Sequence, residues 1–124
     1  MKRIENPEIR NKIFEVLQED IGVDTATNQP DFCGNIECND CAFVSNCIQS
    51  KNIKLNWLQR NWQDAAKRAQ IYSLIEKTIA VDKDDNIKNC KDVPCMNGQC
   101  KFHKFNNFEF TCPTATVAWL EEEI

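Results

Sequence analysis

Eight cysteines in a chain of 124 residues fall into two groups of four. The first group is Cys33, Cys38, Cys41 and Cys47, and the second is Cys90, Cys95, Cys100 and Cys112. Four thiolates suit a tetrahedral Zn²⁺ at about 2.3 Å, and structural zinc sites draw ligands from short turns with two to four intervening residues. The first group is compact enough to close around one ion. The second needs the long Cys100–Cys112 excursion brought back. Lys101-Phe-His-Lys-Phe105 and Phe108-Glu-Phe-Thr-Cys112 flank Asn106-Asn107, and Asn tolerates the positive φ of a two-residue hairpin turn. A hairpin over 101–112 in that register returns Cys112 beside Lys101, next to Cys100. All eight cysteines are therefore expected to be ligands, with two zinc ions per chain.

The groups are copies of one pattern. Both open with Cys-x4-Cys and carry a β-branched residue two positions before the second cysteine, Ile36 and Val93. Both place Phe two positions after the third cysteine, Phe43 and Phe102, and both reach a Trp-Leu pair after the fourth, Trp57-Leu58 and Trp119-Leu120. Matching cysteines, apolar positions and Trp-Leu pairs together indicate tandem duplication.

Other chemistries fit less well. Cys33-x4-Cys38-x2-Cys41 matches the first three ligands of a plant-type iron–sulfur site, but Cys47 follows too soon and Cys90 too late for the fourth. An electron-transfer protein with iron–sulfur clusters is the alternative cofactor reading, and disulfides are the covalent one. A nucleophilic cysteine is disfavoured because His103 is the single histidine and the cysteines come in fours. Asp82-Lys-Asp-Asp-Asn86 opens like a calcium loop, yet its sixth position is Ile87 where Gly is needed. Lys101, Phe102, His103, Lys104, Phe105 and Phe108 form a candidate clamp for single-stranded nucleic acid, by stacking and charge. The plainer reading is that these phenylalanines bury against the helices and that His103 lies on the hairpin surface.

Stepping from ligands to the elements that hold them, Asn6 suits an N-cap, Pro7 a first helical position and Gly22 a stop. Ile9, Ile13, Val16, Leu17 and Ile21 give that helix one apolar stripe. Residues 23–32 read as a loop, so 1–32 is an N-terminal helix and loop. Residues 33–58 form the first metal unit and 90–120 the second. From 50 to 81 runs a stretch without Gly or Pro, with Leu58, Trp62, Ala65, Ala69 and Tyr72, then Ile71, Ile75 and Ile79. It is expected to be one long helix, approaching about 40 Å, that joins the two units. Trp57, Trp62 and Trp119 read as core residues, and Glu121-Glu122-Glu123 as a solvated tail or a contact for a basic partner. The expected architecture is one compact domain, mainly α with small β (α+β), built from two zinc-knuckle-like units, a connecting helix and an N-terminal helix.

Three glycines in the whole chain argue against Gly-rich phosphate loops and against a turn-rich all-β fold. The opening Met1-Lys2-Arg3-Ile4-Glu5-Asn6-Pro7 is not an apolar signal region, and no stretch is long and apolar enough to span a membrane. A cytoplasmic location follows as the expectation, where cysteine frameworks more often mean metal than disulfide. The formal net charge is −4, and two tetrathiolate zinc sites would lower it to roughly −8. That balance weighs against nucleic acid, whose binding needs phosphate-neutralising Lys and Arg, and favours a protein partner with a basic surface.

The string Cys33-Gly-Asn-Ile-Glu-Cys38-Asn-Asp-Cys41-Ala-Phe, followed by Trp57-Leu58, resembles small cysteine-cluster accessory proteins of tailed bacteriophages. The copy from Cys90 to Trp119-Leu120 departs from it in both later spacings. The resemblance covers about half the chain. It implies a zinc-binding accessory factor without catalytic activity that binds a host or defence protein, in the host cytoplasm. The sequence thus predicts a non-enzymatic protein-interaction factor, with a zinc-dependent single-strand-binding module as the alternative.

Overall fold

Asn6 starts the first helix as its chemistry requires. Its side-chain oxygen accepts from the backbone N–H groups of Glu8 (2.9 Å) and Ile9 (3.2 Å), with Pro7 in the first turn. This helix, α1 (Pro7–Leu17), buries Ile13, Phe14 and Leu17 completely and Ile9 and Val16 in part. Phe14, outside the expected stripe, meets Trp62 edge to face with ring centroids 5.6 Å apart. The computed structural model describes residues 1–43, 51–82, 84–93 and 112–124, with only the backbone path at 51–52 and 112–115.

Gly22 does not stop α1. The helix ends at Leu17, and Gly22 lies in strand β1 (Ile21–Asp24), which pairs antiparallel with β2 (Gln29–Phe32) from Ile21↔Phe32 to Asp24↔Gln29. The expected loop over 23–32 is thus mostly a hairpin. Its strands are four residues each, too short to display an alternation, and Pro30 is tolerated because a two-stranded sheet is all edge. Asp24 accepts from the N–H of Ala26, and Asn28 takes the left-handed conformation (φ 55°) that closes the turn.

The stretch from 50 to 81 is two helices and a strand, not one long helix. Helix α2 (Lys51–Asn61) ends before Asp64, whose carboxylate accepts from the Lys67 N–H at 3.0 Å and caps α3 (Ala65–Thr78). An Asp side chain competing for backbone N–H groups breaks a helix without help from Gly or Pro. The break lets Trp57 and Leu58 from α2, Trp62 from the turn after it and Ile71, Leu74 and Ile75 from α3 enter one core, while Ala65 and Ala69 are exposed. The chain passes directly from α3 into β3 (Ile79–Val81), which pairs with β4 (Ile87–Asn89). Helix α4 (Cys112–Leu120) closes the fold, with Thr116 and Leu120 buried. The result is mainly helical with two small antiparallel sheets, an α+β fold.

The duplication extends well beyond the cysteines. Helix, hairpin and cysteine turn occur twice in the same order, α1–β1–β2 and α3–β3–β4. Asn6 and Asp64 cap the two helices. Arg10 donates to the carbonyls of Ile4 and Glu5, and Arg68 to those of Trp62 and Gln63, the matching positions one repeat later. Both guanidinium groups lie over the Trp62 ring, at 5.6 and 5.7 Å from its centroid. Ile13, Leu17, Ile21 and Val23 are buried, as are their counterparts Ile71, Ile75, Ile79 and Val81. Packing between the halves is reciprocal. Helix α1 packs on β4 of the second hairpin, and α3 packs on β2 of the first, as in an isologous dimer interface.

Candidate metal centre

Cys33, Cys38, Cys41 and Cys90 each sit at a tight backbone turn. Cys33 opens a 3₁₀ turn (Cys33–Asn35), and its carbonyl accepts from the Ile36 N–H at 3.2 Å. Cys90 opens the equivalent turn (Cys90–Asp92), and its carbonyl accepts from the Val93 N–H, also at 3.2 Å. Ile36 and Val93 are the matched β-branched residues, so their place in the motif is the closing position of the turn. Cys38 opens a third such turn (Cys38–Asp40), whose closing N–H belongs to Cys41 at 3.3 Å. Residues three apart eclipse on a 3₁₀ turn, which puts a Cys-x2-Cys pair on one side of the backbone.

The first cluster rests on the first hairpin. Asp24 forms an isolated bridge with Cys41, Thr25 N–H donates to Asp40, and Ala42 N–H donates to Val23. Cys41 is buried against Gly22, Phe43 is buried beside it in the core, Cys33 is half-buried and Cys38 exposed. Lys54, itself only 5 % exposed, donates from Nζ to the Ile21 carbonyl at 2.8 Å and lies 5.8 Å from the Phe43 ring centroid. A cation therefore stands on the strand that carries the cluster.

The Cys90 turn and the hairpin before it are held by Asn89 and Asp82. Asn89 caps the Cys90 turn by accepting from the Lys91 N–H at 3.0 Å. The Asp82 carboxylate accepts from the N–H groups of Asp84 and Asn86, each at 2.9 Å, and pairs with Lys88 at 3.2 Å. The Asn86 backbone bond leads these contacts in holding the Asp82 carboxyl down at about 2. Asp82 thus holds the turn of the hairpin formed by β3 and β4.

Asp20, which no sequence pattern singled out, connects the clusters. Its carbonyl accepts from the Cys33 N–H at 2.7 Å, while its carboxylate accepts from the Asn89 side-chain amide and from Lys91 Nζ at 3.4 Å. One residue therefore ties the first cysteine of one cluster to both neighbours of the first cysteine of the other. The role of Asp20 is not legible in the sequence because the partners of its carboxylate lie about seventy residues away.

Among the described residues, no three His, Cys, Asp or Glu side chains stand close enough together to hold a metal ion. Cys47, Cys95 and Cys100 lie outside the described residues, as do Lys101, Phe102, His103, Lys104, Phe105, Phe108 and all of the expected hairpin over 101–112 except its last residue. Cys112 is the first residue of α4 and not the end of a hairpin strand, and Pro113 after it suits the first turn of a helix, where its missing N–H costs nothing. Thiols at matched 3₁₀ turns are of the donor type that zinc takes.

The acidic tail has partners within the chain. Glu121 pairs with Lys2 (2.7 Å) and accepts from Tyr72 (2.7 Å), Glu122 pairs with Arg3 (3.0 Å), and Glu123 pairs with the N-terminal ammonium (3.2 Å). The Lys2 contact, with Tyr72, lowers the Glu121 carboxyl, while burial and then the Glu121 contact raise the Tyr72 hydroxyl. A cleft of about 490 Å³ opens nearby between α1, the second hairpin and α4, with Val16, Ile87 and Trp119 among its apolar lining and both basic (Lys12) and acidic (Glu15, Asp85) side chains around it. No described helix is long and apolar enough to cross a membrane. Comparison with family models, curated proteins and solved structures finds no match to this chain.

Proposed function

We propose that this protein is a non-enzymatic, zinc-stabilised scaffold that binds another protein, in the manner of the phage accessory factors its first cluster resembles. The observation that carries the reading is the repetition of one cysteine turn in two halves, with Cys33 and Cys90 at the same place in each. Repeated ligand turns on a thin core are what a structural metal rewards, because metal binding free energy becomes folding free energy. The eight cysteines serve as ligands, four per zinc, and Lys54 offsets part of the negative charge of the first tetrathiolate site. The partner docks at the cleft beside Trp119, and the net charge of −4 favours a basic surface. The site of action is the host cytoplasm, where thiols stay reduced.

Elemental analysis tests the metal half of the reading. About two zinc ions per chain are expected, and a strong chelator should remove much of the helical circular dichroism. Iron in place of zinc would favour the electron-transfer alternative, and no metal with no free thiols would mean disulfides. Anisotropy titration with a labelled single-stranded oligonucleotide at about 0.15 M salt tests the other half. Micromolar or tighter binding would transfer the assignment to nucleic acid.

A further inference from the structure

We propose that Arg10 and Arg68, gathered at the ring of Trp62, form a binding site for one phosphate group, free or carried as a monoester on a partner's side chain. The site goes beyond the scaffold role and stands apart from the metal reading, because no cysteine takes part in it.

Two like charges brought together without an acid carry the proposal. Arg10 and Arg68 hold matching positions in the duplicated halves, and their guanidinium carbons lie 5.6 and 5.7 Å from the centroid of one indole ring. The chain has 19 acidic residues against 15 basic ones. Even so, neither arginine has an acidic partner among the described residues, whose ion pairs go to the N-terminal ammonium, Lys2, Arg3, Lys88 and Lys91. The acids nearest to them in sequence are engaged with backbone, Glu5 accepting from the Lys2 N–H at 2.8 Å and Asp64 from the Lys67 N–H at 3.0 Å.

Backbone carbonyls use only part of each guanidinium. Arg10 donates from Nη1 alone, to Ile4 and Glu5 at 3.2 and 3.3 Å, and Arg68 from Nε and Nη2, to Trp62 and Gln63 at 2.7 and 3.5 Å. Nε and Nη2 of Arg10 and Nη1 of Arg68 therefore keep N–H donors without an acceptor among the described residues. Trp62 is buried beneath them, Arg10 is half-buried and Arg68 is exposed, so a ligand reaches the pair from solvent. Burial first, and the Arg68 charge second, lower the Arg10 guanidinium, and a bound anion offsets both. Guanidinium forks match phosphate oxygens in geometry, and a dianion answers two positive charges. Side chains already held by carbonyls and a ring lose little rotamer freedom on binding. The net charge of −4 repels an extended polyanion, so a single phosphate group fits better than a nucleic-acid backbone.

Isothermal titration calorimetry of the full chain at low salt tests the site with two probes. One is inorganic phosphate, and the other is a phosphoserine peptide with its unphosphorylated form as the blank. A Kd of about 1 mM or tighter is expected for at least one of them. Binding of inorganic phosphate points to a free ligand, and binding of the phosphopeptide alone points to a phosphorylated partner. Arg68→Gln should weaken the binding by about tenfold or more. Arg68→Lys, which keeps the charge but not the fork, should weaken it less, and it carries the test where Arg68→Gln does not fold. Lys77→Gln removes an exposed charge further along α3 and should leave the affinity unchanged. No binding of either probe to the wild type, binding that the Arg68 variants leave intact, or equal losses in Arg68→Gln and Lys77→Gln would overturn the site. The metal content of the same samples, measured separately, decides the metal reading whatever the calorimetry shows.

Discussion

A Cβ built on Gly22 would stand 3.0 Å from Cys41 Sγ and 3.4 Å from Ile36 Cδ1. The glycine is therefore needed for close approach between the first strand and the cysteine turn. Gly22→Ala should cost about 1–3 kcal/mol, the usual range for overpacking a tight site. Gly34 has nothing within 4 Å of an added Cβ, so Gly34→Ala should change stability by no more than about 0.5 kcal/mol. Denaturant midpoints of the two variants check the contrast, and equal losses would show that Cys41 is not packed on β1. Cys41 thus has a packing role alongside its proposed role as a ligand.

Two devices at the level of elements are local and separately testable. Asp64 ends what would otherwise be a continuous helix, so Asp64→Ala removes the cap of α3 and should cost about 1 kcal/mol, as should Asn6→Ala at α1. Equal losses measured by denaturation are expected from equivalent positions of a duplicated fold. The second device is the Asp82 turn. Its carboxyl is held at about 2 in the folded chain against an ordinary 3.8, chiefly by the Asn86 backbone N–H. A depressed carboxyl stabilises the fold above its unfolded value, and that contribution is lost as pH falls from about 4 toward 2. The melting temperature of wild type should exceed that of Asp82→Asn at neutral pH, with the gap closing across that acid window. A gap that persists unchanged at pH 2 would mean that the charge plays no part.

For the whole molecule, the basic N-terminus and the acidic C-terminus close the fold on each other. Arg3 and Lys2 both join this closure, but on different terms. Arg3 is mostly buried, donates to the Trp119 carbonyl at 2.6 Å and lies 4.5 Å over its ring, whereas Lys2 pairs with Glu121 in solvent. Exposed ion pairs contribute little, while a stacked guanidinium with a carbonyl partner contributes packing as well as charge. Arg3→Ala should lower stability by about 1–2 kcal/mol, and Lys2→Ala should leave the denaturation midpoint nearly unchanged. With its carboxylates paired inside the chain, the tail offers less free charge to a basic partner than the sequence suggests. In the proposed scaffold role, the partially exposed Trp119 and its cleft are therefore the contact to test first.

What was legible in the sequence was whatever depends on neighbours along the chain. The Asn6 cap, the first residue Pro7, the apolar face of α1, the α+β class and the paired cysteine motifs all come from residues within a few positions of each other. The Asp64 cap is equally local, yet absence of Gly and Pro outweighed it, because side-chain competition for backbone N–H groups is a weaker mark than a missing donor. The two short hairpins were not legible, since three- and four-residue strands carry too few positions to show a period. Only tertiary structure decided that the repeat includes helix and hairpin, that the halves exchange their packing, and that Asp20 spans both cysteine turns. Those facts depend on contacts between residues far apart in sequence, formed where burial rather than local propensity selects the partner.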